Sequence, residues 1–208
     1  MYTRAVRVTL DRSTIVSAGC QLARRDGVEA LGVRSVAGAV GVTPMALYRH
    51  VSDAGDLHDA VLAELCESLP AGPDSIDDLL RWAHAFRAWL LGVPGLPRLV
   101  LIRWFELPGV LDVVEALLGV FNRLGRERFE LVAAANSLFS YVLSRAELEE
   151  AVRASGLQRS LPWGKGDAPR PLLSSLRDEY AVARLDEHFD FGLQLLLSGL
   201  FGQAAETR

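Results

Sequence analysis

Apolar side chains recur every three to four residues along most of the chain, and this spacing places them on one face of an α-helix. In the N-terminal part the predicted helices cover about 11–26 and 33–40, and two more begin near 44 and 53. Gly27 and Gly41 end the first two, because glycine readily adopts the left-handed conformation that stops a helix. No segment combines alternating apolar and polar positions with hairpin turn residues. The sequence therefore predicts an all-α fold with essentially no sheet.

A proline- and glycine-rich break, Pro70–Ser75, interrupts this pattern, and we place a domain boundary there. Residues 1–69 are predicted to form an N-terminal domain that includes a connecting fourth helix, and residues 75–208 a larger helical domain. In the larger domain the predicted helices cover about 75–91, 96–105, 108–124, 127–154 and 172–202, and a split of the last helix near Tyr180 is the alternative. Ser155–Pro171 is rich in glycine and proline and is predicted to be a loop.

The stretch Gly41–Val51 presents two different faces. Leu47 suits a core, whereas Met45, Tyr48 and Arg49 fall at i, i+3 and i+4 on a face that cannot point into the same core. A short helix that follows another across a three-residue glycine turn is the helix-turn-helix arrangement, in which the last helix enters the major groove of DNA. The sequence therefore predicts a DNA-binding element at this point of the chain.

The side chains on that outward face have the chemistry that DNA contacts require. Arginine binds the O6 and N7 atoms of guanine together, and methionine or proline packs against the methyl group of thymine. Threonine, tyrosine and histidine carry polar tips that suit phosphate oxygens. For Arg34 a surface salt bridge is the competing interpretation. The predicted DNA-contacting residues are Arg34, Thr43, Pro44, Met45, Tyr48, Arg49 and His50.

The distribution of charge favours the same end of the chain. Residues 1–52 hold seven arginines against three acidic residues, whereas the rest of the chain holds 15 basic and 23 acidic residues. A basic N-terminal segment followed by an acidic remainder is typical of a protein that places one end against a polyanion.

Thr14–Leu57 resembles the DNA-binding domain of the TetR family of repressors. Eight residues match the family pattern in order: Arg34, Ala37, Gly41, Val42, Leu47, Tyr48, His50 and Val51. The C-terminal His188–Leu200 is similar to the last helix of the family's regulatory domain. The resemblance implies a helix-turn-helix domain followed by a larger ligand-binding and dimerisation domain. It also implies a ligand-responsive transcriptional regulator, usually a repressor, that binds a near-palindromic double-stranded DNA operator as a homodimer and is released by a small effector.

Two positions depart from the family pattern. Ala54 stands where the family usually has a lysine that binds a phosphate, and Gly32 stands where it usually has a threonine. The loss of one charged phosphate contact is expected to weaken DNA binding and to flatten its salt dependence. Arg4, Arg7 and Arg12 are candidates to compensate for it.

Aromatic residues on the first helix of the larger domain predict a ligand pocket. Trp82, Phe86 and Trp89 fall at i, i+4 and i+7 and form one stripe, and an apolar cavity with a few polar groups is the usual form of a small-molecule site. Such a stripe is also what core packing produces. Asn136 is the sharpest candidate, since an amide in the middle of a helix needs a partner if it is buried. The predicted ligand-binding residues are Trp82, Phe86, Trp89, Arg103, Trp104, Phe121, Asn136 and Phe139.

The final helix carries a leucine-rich stripe that predicts a dimer interface. Two copies of this helix and of the helix at 127–154 would form a four-helix contact, as two-fold DNA binding requires. The same stripe can also pack within the subunit. The predicted interface residues are Phe189, Leu193, Leu196, Leu197 and Leu200.

Other functional classes lack their sequence signatures. No histidine has a second ligand at metal spacing, and no nucleophile has a local base, so we predict no metal, no cofactor and no enzymatic activity. Asp77–Asp78 and Glu149–Glu150 are expected on exposed helix faces. Cys20 and Cys66 are expected to be reduced thiols. Without an apolar run of membrane-spanning length or a secretory signal, the chain is predicted to be cytoplasmic.

Two other interpretations remain open. A helical small-molecule-binding protein or enzyme could carry a helix-turn-helix head that no longer binds DNA, which Ala54 and the overall acidity favour. An activator or nucleoid-type protein is the third interpretation, and the modest basic charge of the head disfavours it.

Overall fold

The computed structural model describes residues 10–155, 171–180 and 182–202, and within these ranges it contains helices and no strand. The all-α prediction is confirmed. The α-helices are α1 Arg12–Asp26, α2 Val33–Val40, α3 Pro44–Leu47, α4 Ala54–Cys66, α5 Leu79–Leu91, α6 Leu96–Arg103, α7 Val110–Arg123, α8 Arg128–Ala154, α9 Pro171–Ser175 and α10 Leu185–Gly202. Short 3₁₀ turns cover Val28–Ala30, Trp104–Glu106, Arg177–Tyr180 and Val182–Arg184.

Two compact units divide the chain. The first combines Met1–Pro70 with Gly92–Leu111, and the second combines Ala71–Leu91 with Asp112–Arg208. The sequence prediction had placed 92–111 in the larger domain. Within the first unit this segment contacts the 3₁₀ turn Val28–Ala30, where the Val28 amide donates a hydrogen bond to the Pro94 carbonyl at 2.9 Å. A contact between backbones so far apart in sequence has no local signature.

The first unit is built around α1, which packs against both α2 and α4. Gly19 lies at the α1–α4 contact, and a Cβ atom there would approach Cγ2 of Val61 to 2.5 Å. Asp11 caps α1 by accepting a hydrogen bond from the Thr14 amide. This bond, together with one from the Ser13 hydroxyl, lowers the pKa of its carboxyl to about 2. Cys20 is buried in this unit, and burial raises the pKa of its thiol.

The second unit is built around α8, which packs against α5 and α10. Phe86 of α5, Phe121 of α7, Leu138 of α8 and Phe189 of α10 are all fully or almost fully buried. These side chains form one apolar core to which four helices contribute.

Helix boundaries differ from the predictions mainly in the second half of the chain. Helix α5 begins at Leu79 rather than near residue 75. The segment 172–202 is divided into α9, two 3₁₀ turns and α10, and the first of these turns ends at Tyr180, where the sequence left a split open. Most of the predicted loop Ser155–Pro171 lies outside the described residues, and Pro171 itself begins α9. In the described part of the chain no single helix is long and apolar enough to cross a membrane; α5 counted together with the segment Leu96–Glu106 passes that test by length and composition alone.

Candidate functional site

The turn between α2 and α3 holds α3 in its place within the first unit. Gly41 ends α2 with φ 72°, a left-handed conformation that glycine adopts without a steric cost. The Val42 amide then donates to the Ala37 carbonyl at 3.0 Å, and the chain enters α3 at Pro44. Helix α3 is only one turn long, but hydrogen bonds from the backbone amides of residues 48–51 continue the helical turns to Val51.

Helix α3 has a buried face and an exposed face, as its sequence predicts. Leu47 is 0% exposed and Val51 is buried, so these two side chains anchor the helix in the core. Met45 on the opposite face is 75% exposed, an unusual fraction for a methionine. Six of the seven predicted DNA-contacting residues have exposed side chains, and His50 is half-buried; the exposed ones are Arg34, Thr43, Pro44, Met45, Tyr48 and Arg49.

Two details of the predicted DNA-contacting set differ from expectation. Thr43 occupies the N-cap position of α3, but its side chain makes no capping hydrogen bond. Tyr48 is the C-cap residue of α3, so Tyr48 and Arg49 stand on the turn after the helix rather than within it. Both side chains are exposed, as that of Met45 is.

Arg12 of α1 is engaged within the protein. Its guanidinium makes two hydrogen bonds to the Asp56 carboxylate, at 2.5 and 3.1 Å, and donates to the His50 carbonyl at 3.0 Å. The Arg12 hydrogen bonds, with one from the Ser52 amide, hold the pKa of Asp56 well below its ordinary value. Arg12 therefore fixes the end of the α3 turn, and the suggestion that it also contacts a phosphate stays a prediction. Arg4 and Arg7, the other two candidates, lie outside the described residues.

Acidic residues surround the position where the family lysine is absent. Asp53 caps α4 by accepting a hydrogen bond from the Asp56 amide at 2.8 Å, and Ala54 and Gly55 follow it with exposed surfaces. Asp56 lies in the first turn of the same helix. The first turn of α4 itself therefore supplies only acidic side chains, and the basic side chain beside it, Arg12, pairs with Asp56.

Four of the predicted ligand-binding residues form an aromatic cluster in the second unit. The ring centroids of Trp82 and Phe86 are 5.2 Å apart with an angle of 14° between the planes, and those of Phe86 and Trp89 are 5.8 Å apart at 13°. Phe139 of α8 lies 5.4 Å from Phe86 at 31°. Trp89 is half-buried, and the other three are buried. The predicted stripe is thus a stacked row of rings that also serves the core.

The other predicted ligand-binding residues do not join this row of rings. Arg103 and Trp104 belong to the first unit, where Arg103 is ion-paired with Glu106 at 2.6 Å and Asp59 at 3.5 Å. Phe121 is buried in the second unit. Asn136 is exposed on α8, so the burial that would have required a partner for its amide is absent. A groove of about 660 Å³ lies in the first unit between α1 and α2, and none of the eight residues lines it.

The predicted interface stripe of α10 is partly internal. Phe189 and Leu193 are buried within the protomer and are corrected to core residues, whereas Leu196, Leu197 and Leu200 are half-buried. The exposed large apolar side chains of α8 and α10 lie elsewhere on the two helices, at Phe129, Val132, Leu148, Phe191 and Leu195. The period of the leucines did not distinguish the inner face of α10 from its outer face.

A buried ion pair is the feature that sequence reasoning missed. Arg87 of α5 donates to Oε2 of Glu149 on α8, with Nε at 2.9 Å, and to Asp186 of α10 at 2.5 Å. Burial opposes its positive charge, but hydrogen bonds to Asp186 and Glu149 raise the pKa of Arg87. Glu149, which was expected on an exposed face, is 2% exposed and also pairs with Arg153. Only tertiary structure brings these charges together.

This fold and these sites define a class of protein: all-helical, with a helix-turn-helix in the first unit and a larger helical second unit. The family model described as the tetracyclin repressor-like C-terminal domain matches residues 69–203. The chain belongs to the tetracycline repressor-like (TetR) family.

Known proteins similar to the chain include transcriptional regulators. The HTH-type transcriptional repressor DrrR1 of Streptomyces coeruleorubidus is 29% identical over 99% of this chain and 83% of its own length. Among solved structures, Streptomyces coelicolor ActR in complex with actinorhodin has a TM-score of 0.70 at 20% identity, covering 97% of this chain and 100% of that one. BioQ with its natural double-stranded DNA operator has a TM-score of 0.65 at 23% identity, covering 93% and 99%. The two structures share the fold of this chain.

Proposed function

We propose that the chain is a ligand-responsive transcriptional repressor that binds a near-palindromic DNA operator as a homodimer and is released by a small, largely apolar effector. The observation that carries the proposal is the contrast within α3 between buried Leu47 and exposed Met45. Burying the large apolar side chain of Met45 would gain free energy, so its exposure suggests a partner surface. Family membership and the name of the repressor DrrR1 add support.

The exposed side of α3 is the surface proposed to contact DNA. Arg49 supplies the fork of donors that recognises guanine, Met45 and Pro44 supply apolar contacts to thymine, and Tyr48 and Thr43 supply hydroxyl groups for phosphates. Arg12 contributes indirectly, because its hydrogen bond to the His50 carbonyl stiffens the turn that holds these groups. The BioQ structure with its operator is a precedent for the fold in contact with DNA.

Dimerisation is proposed through α8 and α10. These helices run against each other in the second unit and leave apolar side chains uncovered, among them Phe129 and Val132 on α8 and Phe191 and Leu195 on α10. A second copy would cover them, and DNA binding by the two-fold dimer requires the two α3 turns to lie about 34–36 Å apart, one turn of DNA.

The effector is proposed to bind in the second unit at the aromatic cluster of Trp82, Phe86, Trp89 and Phe139. Stacked aromatic rings with few polar groups suit a small apolar molecule. The ActR structure in complex with actinorhodin is a precedent for a small molecule bound to this fold. Release of DNA requires only that the effector bind the two conformations with affinities that differ by a few kcal/mol.

A gel-retardation assay on the DNA upstream of the chain's own gene tests the proposal. The wild type is expected to retard one fragment specifically, and Tyr48→Ala and Arg49→Ala are expected to abolish this binding without lowering the melting temperature. Arg98→Ala is the matched control, since Arg98 is an exposed arginine of the first unit outside the helix-turn-helix. Equal loss of binding in the control, or no specific retardation by the wild type, would reject the proposal.

One observation favours a second candidate, a helical ligand-binding protein whose head no longer binds DNA. The beginning of α4 has Ala54 in place of a lysine and carries Asp53, whose negative charge repels phosphates, whereas the charge of Asp56 is offset by Arg12. Retardation that is absent at low salt, together with effector binding in the second unit, would support this candidate over the first.

A further inference from the structure

A groove in the first unit takes no part in the proposed DNA contacts, dimer contacts or effector site. Its main part has a volume of about 660 Å³, and a second hollow of about 370 Å³, which shares Ala18, Gln21 and Ala39 with it, extends it along α1. Small-molecule sites in proteins have volumes of this order. Together the two hollows form the α1–α2 groove, to which Glu64 of α4 also contributes.

Side chains of minimal size keep the α1–α2 groove open. Ala18 of α1 and Ala39 of α2 lie where the two hollows meet. Gly38 lines the second hollow, and a Cβ atom added there would meet nothing within 4 Å. The side chains of the first unit therefore leave this space unfilled.

The two walls of the groove differ in polarity. On the α2 side Val40 and Val42 are half-buried and present apolar surface. On the α1 side Ser17 and Gln21 are exposed, and neither the hydroxyl nor the amide has a hydrogen-bond partner among the described residues. A molecule in the groove thus meets an apolar wall and uncommitted polar groups, which is the usual composition of a small-molecule site.

Glu64 gives the groove a negative charge that the protein does not neutralise. Its side chain is exposed and forms no ion pair within the described part of the chain. Arg25, the other charged residue that lines the two hollows, pairs with Asp26 at 2.6 Å. A cation in the groove would find an unpaired carboxylate, whereas an anion would compete with Asp26 for Arg25 and be repelled by Glu64.

We infer that the α1–α2 groove binds a small organic cation, an ammonium compound with an apolar body. The ammonium group pairs with the Glu64 carboxylate and donates to the hydroxyl of Ser17 and the side-chain carbonyl of Gln21, and the apolar body packs on Val40 and Val42. This site belongs to the unit that carries the helix-turn-helix. It does not depend on the proposed function, because its ligand is measured without DNA.

Phenethylamine and phenethyl alcohol form a matched pair of probes, since they share one apolar body and only the amine is charged at neutral pH. Titration of the isotope-labelled full chain is expected to shift the amide resonances of Ser17, Gln21, Ala39 and Val42. The amine is expected to bind about two- to five-fold more tightly than the alcohol, the range of one exposed ion pair. Added salt should reduce this preference, because the carboxylate is exposed.

Two variants separate charge from shape. Glu64→Gln removes the charge at an exposed position, so the fold should persist and the two probes should bind equally. Glu67→Gln is its control, since Glu67 is also exposed on the last turn of α4 but does not line the groove. Ala39→Leu fills the point where the hollows meet and should weaken both probes, whereas Ala54→Leu, an exposed alanine outside the groove, should weaken neither.

Four outcomes would overturn the inference: no binding of the amine, shifts confined to residues outside the groove, equal binding of the two probes to the wild type, or a preference that survives in Glu64→Gln. Shifts in the second unit alone would assign the amine to the proposed effector site instead. Operator retardation is a separate measurement, so loss of the amine site leaves the proposed function intact, and absent retardation leaves the amine site intact.

Discussion

Arg87 and Glu149 form an ion pair in the interior of the second unit, with Arg87 Nε 2.9 Å from Glu149 Oε2. The guanidinium also lies 4.6 Å from the ring centroid of Phe189 and bonds to Asp186, so one side chain of α5 contacts both α8 and α10. If α5 binds the effector and α10 binds a second copy, Arg87 is the direct connection between these two roles.

Replacing Arg87 with methionine is expected to destabilise the protein by about 3–5 kcal/mol, because it leaves Glu149 buried without its main partner. Denaturant unfolding measures this loss. Arg184→Met is the control, since Arg184 pairs with the exposed Glu187 and its loss is expected to change stability little. Similar small losses in the free energy of unfolding of both variants would contradict the structural role of the buried pair.

Adding the missing lysine is expected to strengthen DNA binding. In Ala54→Lys the new ammonium group stands at the exposed beginning of α4, where it offsets the charge of Asp53 and can reach a phosphate. The slope of log affinity against log salt concentration should steepen by about 0.9. Ala63→Lys adds the same charge at an exposed position far along α4 and should leave the slope nearly unchanged. An identical change of slope in both variants would show that the added charge alone, and not its position at the beginning of α4, is responsible.

The Arg12–Asp56 pair is expected to make the stability of the first unit depend on pH. The hydrogen bonds from Arg12 and Ser52 hold the pKa of Asp56 below its ordinary value of 3.8. The stabilisation that the ionised Asp56 carboxylate contributes is therefore complete above about pH 4. It is lost as the pH falls through the lower, folded-state pKa. The stability difference between wild type and Asp56→Asn should be constant near neutrality and narrow in acid. Unfolding curves at a series of pH values measure this, with the exposed Glu29→Gln as control; a difference that widens in acid would contradict it.

A charge on the outer face of α10 is expected to separate the proposed dimer. Leu195 is exposed in the protomer, so Leu195→Arg should leave the fold intact and yield monomers in sedimentation experiments. Leu80→Arg makes the same change at an exposed leucine of α5 and should remain dimeric. A Leu195→Arg protein that stays dimeric would place the interface elsewhere.

Local patterns were sufficient to predict the helix-turn-helix. Helix α2 covers Val33–Val40 as predicted, and Gly41 ends it, because both depend on residues near in sequence. The opposite exposures of Leu47 and Met45 follow from their angular positions on one turn. The boundaries of α4 and α8 were also close to prediction, since strong apolar periodicity marks them.

Contacts between distant residues were not predictable in the same way. The docking of Pro94 on Val28, the pairing of Arg12 with Asp56 and the burial of Glu149 all join segments far apart in sequence. On α8, Asn136 and Glu149 show the limit of residue type as a guide, since the amide is exposed and the carboxylate is buried. A charge becomes buried only where a partner from another helix meets it, and the pattern of one helix does not contain that information.

Met45→Ala and Leu47→Ala, compared for both DNA affinity and free energy of unfolding, test the role of α3 most directly. We expect Met45→Ala to weaken operator binding at unchanged stability, because its side chain contacts only the partner. We expect Leu47→Ala to lose about 2–5 kcal/mol of stability, because it leaves a cavity beneath the helix. Undiminished operator affinity in Met45→Ala would contradict a DNA-contacting role for the exposed face.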